Sequence, residues 1–500
     1  MICRGGRIYT SPFEKILKIY LQINKIVIKY LCENIIKQEE KMQKEINVKK
    51  IQEICNAELL TKNIENIINK YTIDSRDVEI NDCFISIKGK NSDNNKYLKM
   101  ALEKGASVCL VQDYPIEELL EKYADRTIIK VEDTVKAIQQ IAKYKRDLYN
   151  IPVVAITGSV GKTSTKDIIA SVLGQKYNVL KTEGNYNNHL GVPLTLLRLK
   201  NHTAAVIEMG MNHFDEIRVL TKIARPTVAV ITNIGTSHIG NLGSRENILK
   251  AKLEILEGLQ HNGSIIINND NDLLHNWAQT VDNSNIFTYG IENKSLFTAK
   301  DINEKKNQSE YKINIEGKEY NVEVPVMGRH FVYNSLCAIA VAQALNIEPK
   351  KVIKGIKTFE LTAKRMDFRN LNNGAVVLAD YYNASYDSMK SALEVVRDYK
   401  ANRKIAVLGD MLELGQYSEK LHNDVGEEVY KNKIDILITV GKLSKYTAKT
   451  AQKLGTKEIY ECENNLEAIQ ILKNTIKEGD LILLKASNGM KFGEILKSFE

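Results

Sequence analysis

Short apolar runs recur along the chain, and their spacing switches repeatedly between the two-residue period of a strand and the 3.6-residue period of a helix. From about 42 to 145, CFISIKG, SVCLVQD and RTIIKV read as strands set between helical stretches, which predicts a mixed α/β unit. Beyond it, VVAIT runs into a predicted helix over 164–173, AAVIEM into one over 217–223, and TVAVITNIG into one around 247–256. Strand, helix, strand in that order makes a mainly parallel sheet. Residues 294–325 read as hairpin strands, and HFVYNSLCAIAVAQALN as a long helix ending near Pro349. From about 361, AVVLADYY, KIAVLGD, DILITVG and DLILLKAS alternate with helical patterns and predict a Rossmann-like open sheet of four strands. The expected fold class is α/β in three domains, 42–145, 146–360 and 361–500, preceded by a basic extension, 1–41.

Length and composition agree with that division. At ~150 residues per domain, 500 residues make about three, and 43% hydrophobic content suffices to bury a core in each. The net charge of +8 is concentrated at the start: residues 1–41 carry eight basic and four acidic side chains. That leaves +4 over the other 459 residues, which calls for no nucleic-acid surface. In KILKIYLQINKIVIKYLCENIIK, Lys18, Lys25 and Lys29 interrupt every apolar run short of the ~20 residues a membrane span needs. A secretory signal is not expected either. Two readings stay open: a basic amphipathic surface helix, or a stretch upstream of a natural start at Met42. The 7 cysteines are odd in number and none forms a C-x-x-C pair, so neither a disulfide framework nor a zinc site is expected. A cytoplasmic location and a monomeric chain are expected.

The densest chemistry lies in VVAITGSVGKTSTKDII, an apolar strand, a glycine turn and a helix. Thr157, Gly158, Ser159, Val160, Gly161, Lys162, Thr163 and Ser164 make up T-G-S-V-G-K-T-S. Such a turn offers backbone N–H groups and a helix N-terminus to phosphates, with Lys162 for the β/γ oxygens and the Thr163 hydroxyl for magnesium. The usual G-x-x-x-x-G-K-[ST] spacing is not fully met, because Ile156 stands where the first glycine would be. ATP is the expected nucleotide and Mg2+ its companion. Glu208 closes the strand run IEMGM and His238 lies just past TVAVITNIG. Strand ends are where open α/β sheets build their sites. Taken alone, a strand-end glutamate reads equally as a structural carboxylate, and a lone histidine more often as a structural imidazole than as a ligand.

The run 156–164, GNYNNHLGVPLTLL, EMG, SHIGNLGS and AKLEIL, taken in order, resemble the ATP-dependent Mur ligases of bacterial cell-wall synthesis. DSRDVEINDCFISIKGKNSDN, FELTAKRMDFR, ADYYNASYDSM and AVLGDMLELG resemble the branch that adds the terminal dipeptide, over about 42–500. The resemblance implies a reaction. ATP phosphorylates the terminal carboxylate of UDP-N-acetylmuramoyl-tripeptide, the amine of D-alanyl-D-alanine attacks the acyl phosphate, and an amide, ADP and phosphate result. It implies that 42–145 binds the UDP-sugar peptide, 146–360 binds ATP, and 361–500 binds the dipeptide and closes over ATP. It also implies catalytic roles for Lys162, Glu208, His238 and Lys252. Thr163 and Glu208 would hold one magnesium, Glu208 and His238 would serve a second, and Lys252 would join them as a lysine carbamylated by carbon dioxide. Asn334 matches an adenine-contacting asparagine, Arg365 an arginine facing the phosphates, and Asp380 a residue near the ribose. Asp74, Ser75 and Arg76 match the segment facing the uridine diphosphate, and Asn185, Asn188 and Asn383 belong to the substrate set.

The chain departs from the family pattern at Ala379, Ser385 and Tyr386, where D-D-x-Y-N-A-N-P is expected. It departs again at Asn488, where K-G-S-R-G-M has arginine, and at Asp93, Asn94 and Asn95, where D-G-H is expected. These changes leave dipeptide binding and turnover less firmly implied than ATP binding. The competing readings are another ligase of the superfamily, such as a folylpolyglutamate synthase, and a non-catalytic nucleotide-binding scaffold. The DSR segment and the NYNNHLGVP run speak against the first.

Overall fold

The computed structural model describes residues 45–61, 66–88, 94–281, 285–305, 308–361 and 366–499. The basic extension, Asp93 and Arg365 lie outside them. Four sheets organise the rest. The first has five strands in the order Glu58–Leu59, Thr127–Lys130, Val108–Val111, Cys83–Ile85, Tyr71–Thr72, parallel except for the first. Its three central strands are the apolar runs seen in the sequence. The two edge strands are two residues long, too short to leave a pattern.

The central sheet has seven strands, all parallel, in the order Phe297–Thr298, Ile286–Gly290, Ser264–Asn268, Val228–Ile231, Val153–Thr157, Ala204–Glu208, Val179–Lys181. From the neighbouring strands Val153–Thr157 and Val228–Ile231 the chain travels outward in opposite directions. A crevice therefore opens at their C-terminal ends. Both strands are buried throughout, as continuous Val/Ile/Ala runs require in a sheet covered on two faces. The helix Lys162–Leu173 is buried on nearly every face and packs against Arg329–Ala344, which is buried and mainly apolar from Leu336 to Ala342.

Several boundaries differ from the sequence reading. The helix expected at 164 starts at Lys162, and the one expected through 256 ends at Leu253 in a 3-10 turn, Glu254–Gly258. The helix expected to run to Pro349 stops at Ala344, and Pro349 opens a second one, where a missing N–H costs nothing. Of the 294–325 stretch, Phe297–Thr298 joins the parallel sheet, and the antiparallel sheet is Lys300–Lys305, Gln308–Ile315 and Lys318–Val324. Tyr311 on that sheet meets Ser335 of the buried helix at 2.8 Å between hydroxyls.

The last sheet has six strands where four were expected: Asp367–Asn370, Val376–Ala379, Asp480–Lys485, Arg403–Gly409, Ile436–Val440 and Glu458–Cys462, parallel except for the first. The two extra strands are the edges, and their half-exposed residues lack an apolar run. One apolar core runs through all of these layers, with smaller clusters on the far faces of the first and last sheets. Among the described residues no helix is long and apolar enough to cross a membrane. Cys109 and Cys337 are fully buried, and burial pushes both thiols up to about 12, as inert core residues.

Candidate active site

A cavity of about 1060 Å³ lies between the C-terminal ends of the central strands and the last sheet with its helices. Of the residues singled out from the sequence, Ser159 through Ser164, Asn185, Asn188, Glu208, His238, Asn334, Asp380 and Asn383 all line it. Thr157 and Gly158 sit beneath the loop, and Lys252 is buried rather than lining.

The phosphate loop keeps its shape through two glycines. Gly158 has φ +153°, and a Cβ there would stand 1.9 Å from Thr232 Oγ1; Gly161 has φ +82° at the helix N-terminus. Asn233 Oδ1 accepts from the Ser159 and Val160 amides at 3.1 and 3.0 Å. Lys162 curls back over the loop and donates to the Gly158 carbonyl at 2.8 Å. A bound phosphate would compete with the Gly158 carbonyl for Lys162.

Glu208 ends its strand inside the cavity wall, 2% exposed. Its Oε1 accepts from Asn187 Nδ2 at 2.9 Å, while Oε2 is buried without a partner. A buried carboxylate oxygen left unpaired is costly, and a cation is the partner that would satisfy it. Asn187 was not singled out from the sequence. Three asparagines, Asn185, Asn187 and Asn188, crowd this turn and their spacing gives no sign of which faces the strand end. Asn188, which was singled out, spends its Oδ1 on the Leu190 and Gly191 amides at 3.1 and 2.9 Å.

His238 holds its imidazole 3.2 Å from Glu413 Oε2 through Nδ1. Burial, with Lys162 and Lys252 nearby, depresses it to about 3, so the ring stays neutral. Lys252 is 1% exposed, and burial together with the Lys162 charge holds its amine well below the usual lysine range. At the far end of the cavity, Asn334 Oδ1 accepts from Thr165 Oγ1 at 3.1 Å, and its Nδ2 is buried without a partner. Across from it, Asp380 is paired with the buried Lys485 at 2.5 Å.

The central part of the chain, residues 156–342, matches the Mur ligase middle domain, and residues 364–488 match the Mur ligase, glutamate ligase domain. Over 454 residues the chain is 38% identical to UDP-N-acetylmuramoyl-tripeptide--D-alanyl-D-alanine ligase of Bacillus subtilis (strain 168), covering 90% of this chain and 97% of that protein. The chain belongs to the Mur ligase family. Its fold superposes on MurF from Acinetobacter baumannii with TM-score 0.81 at 28% identity, covering 91% and 98% of the two chains. Against the MurF ligase from Thermotoga maritima in complex with ADP the TM-score is 0.76 at 26% identity, covering 87% and 98%.

In this Mur ligase the segment 74–76 stands apart from the cavity. Asp74 and Arg76 do not line it, and neither does Ser75. The Arg76 guanidinium grips the Asp74 carboxylate at 2.6 Å and lowers it to about 2, while Ser75 is buried with its hydroxyl on Met100 Sδ at 3.3 Å. Arg76 itself is 81% exposed, a guanidinium turned to solvent.

Proposed function

We propose that this Mur ligase joins D-alanyl-D-alanine to UDP-N-acetylmuramoyl-tripeptide at the expense of ATP, by way of an acyl phosphate, forming the pentapeptide precursor of peptidoglycan. What carries the reading is one cavity that holds a phosphate loop, a buried carboxylate with an unpartnered oxygen, and polar groups from the last sheet. Activation of a carboxylate by ATP needs two polyanions held together, so the work left to the protein is positioning and charge stabilisation. Lys162 and the loop amides suit the phosphates, and the orphaned Asn334 amide suits a ring-nitrogen acceptor of adenine. Asp380 belongs near the ribose. We assign 42–145 to the UDP-sugar peptide, with Asp74, Ser75 and Arg76 toward the diphosphate. Residues 146–360 are assigned to ATP and 361–500 to the dipeptide, with Asn383 at the substrate. These substrates and, among the described residues, the free thiols, of which Cys83, Cys109, Cys337 and Cys462 are buried, suit a cytoplasmic enzyme.

Magnesium fits the donor set. Oxygen ligands are what it prefers, and Glu208 Oε2 and the Thr163 hydroxyl supply them, with neutral His238 serving a second ion. Among the described residues no group of three His, Cys, Asp or Glu is poised for a metal, so the remaining ligands must come from substrate oxygens, water or a modified lysine. A bound magnesium would supply charge neutralisation between phosphate and carboxylate. Lys252 is built for carbamylation, since a buried neutral amine is the form that attacks carbon dioxide. Lys252→Ala should be inactive and partly restored by short carboxylates; full activity without them removes that role.

The decisive assay is ATP-dependent phosphate release with UDP-N-acetylmuramoyl-tripeptide, with and without D-alanyl-D-alanine. Release that requires both substrates is expected. No release under any condition overturns the ligase reading, and release with folate and glutamate replaces it with the polyglutamate ligase.

A further inference from the structure

Resting on the ligase reading above, one contact ties the last sheet's helix to the phosphate loop. The helix Tyr386–Asp398 opens with a capping box formed by Ser385 and Ser388, and Asp387 lies in its first turn. Asp387 Oδ2 accepts from the Thr236 amide at 2.8 Å and from the Thr236 hydroxyl at 2.9 Å. A Cβ at Gly235 would stand 2.3 Å from the same oxygen, so the approach exists because residue 235 has no side chain. The reverse side of that short segment grips the phosphate loop. The Gly235 amide donates to Ser159 Oγ at 2.9 Å, and Ser237 Oγ donates to the Ser159 carbonyl at 3.2 Å.

We propose that Asp387 is a positioning residue for phosphoryl transfer, which fixes Gly235 and Thr236 against the C-terminal helix and through them sets the phosphate loop at Ser159. Docking of the last sheet and readiness of the loop are then one event. The segment 235–237 is the shared part, held from one side by a carboxylate and from the other by the serine it orients. Nucleotide affinity and kcat both depend on the contact, and the KM for the dipeptide does not.

Four full-length variants test it: Asp387→Ala, Asp387→Asn, Gly235→Ala and the double variant Asp387→Ala with Gly235→Ala. Asp387→Ala should lower kcat about tenfold and weaken ADP binding, measured by calorimetry without the other substrates, by about threefold or more, with the dipeptide KM unchanged. Asp387→Asn should recover most of the loss, because an amide oxygen accepts both Thr236 bonds. Gly235→Ala alone should be as damaging as Asp387→Ala, but should add less than about twofold in the double variant, where the clashing oxygen is gone. Losses that multiply in the double variant, or an ADP affinity for Asp387→Ala within about twofold of the native chain, overturn the proposal. Where Asp387→Ala does not fold, Thr236→Val decides in its place, weaker ADP binding supporting the contact and unchanged binding refuting it. ADP titration separates this inference from the ligase reading, since it needs no ligation to occur.

Discussion

Two buried side chains show how much single groups are asked to do. Glu208 sits 2% exposed with one oxygen held by Asn187 and the other unpaired, a placement that costs stability. Glu208→Gln keeps the volume and a carbonyl for Asn187, so kcat should fall about 10²- to 10³-fold while the thermal midpoint holds or rises. Steady-state phosphate release and a thermal melt check both halves. His422 is the opposite case, 1% exposed and fully used: its Nε2 accepts from the Met411 amide at 3.0 Å and Nδ1 faces the Ser418 carbonyl at 2.7 Å. Burial lowers its pKa, against a smaller pull from Ser418 and Asp410. The unfolded chain therefore takes up a proton near pH 6.5 that the folded chain refuses, and His422 contributes stability above that pH which is lost as the pH falls below it. Urea midpoints at pH 7 and 5.5 should differ more in the native chain than in His422→Gln.

The elements that build the site were largely legible before folding, because their signals are local. A buried parallel strand needs a continuous apolar run, a phosphate loop needs glycines followed by Lys162 and Thr163, and both are written in consecutive residues. Edge strands such as Asp367–Asn370 and Glu458–Cys462 were not, since half-exposed positions carry no alternation strong enough to read. Local strain explains why the loop glycine is fixed. Gly158→Ala would place a Cβ 1.9 Å from Thr232 Oγ1 at φ +153°. It should cost about 1–3 kcal/mol in urea unfolding and abolish tight ADP binding. The helix that carries Asp387 depends on its cap. Ser385→Ala removes the half of the capping box that the Ser385 hydroxyl accepts from the Ser388 amide, leaves the Ser385 amide on Ser388 Oγ, and should cost about 1 kcal/mol, read from the urea midpoint.

Over the whole molecule, the site is completed by surfaces far apart in sequence. Gly240 lies so close to the last sheet's loop that a Cβ would come 2.5 Å from the Glu413 carbonyl, and Tyr417 donates to the Gly243 carbonyl beside it. Gly240→Val should wedge the two apart and lower kcat about tenfold, with binding of the nucleotide-sugar, proposed for 42–145, unchanged. Calorimetry with the nucleotide-sugar and steady-state kinetics separate the two effects. By itself the sequence determined the buried strands, the phosphate loop, and the strand ends and following segments that carry Glu208, His238 and Asp380, because periodicity and turn chemistry act over a few residues. Only the tertiary structure decided that Asn187 rather than its neighbours holds Glu208, that His238 meets Glu413, and that Asp387 reaches Gly235. Those pairings join positions up to 175 residues apart. What selects them is which side chains remain when four sheets bury a common core, a condition on the whole chain that no local pattern carries.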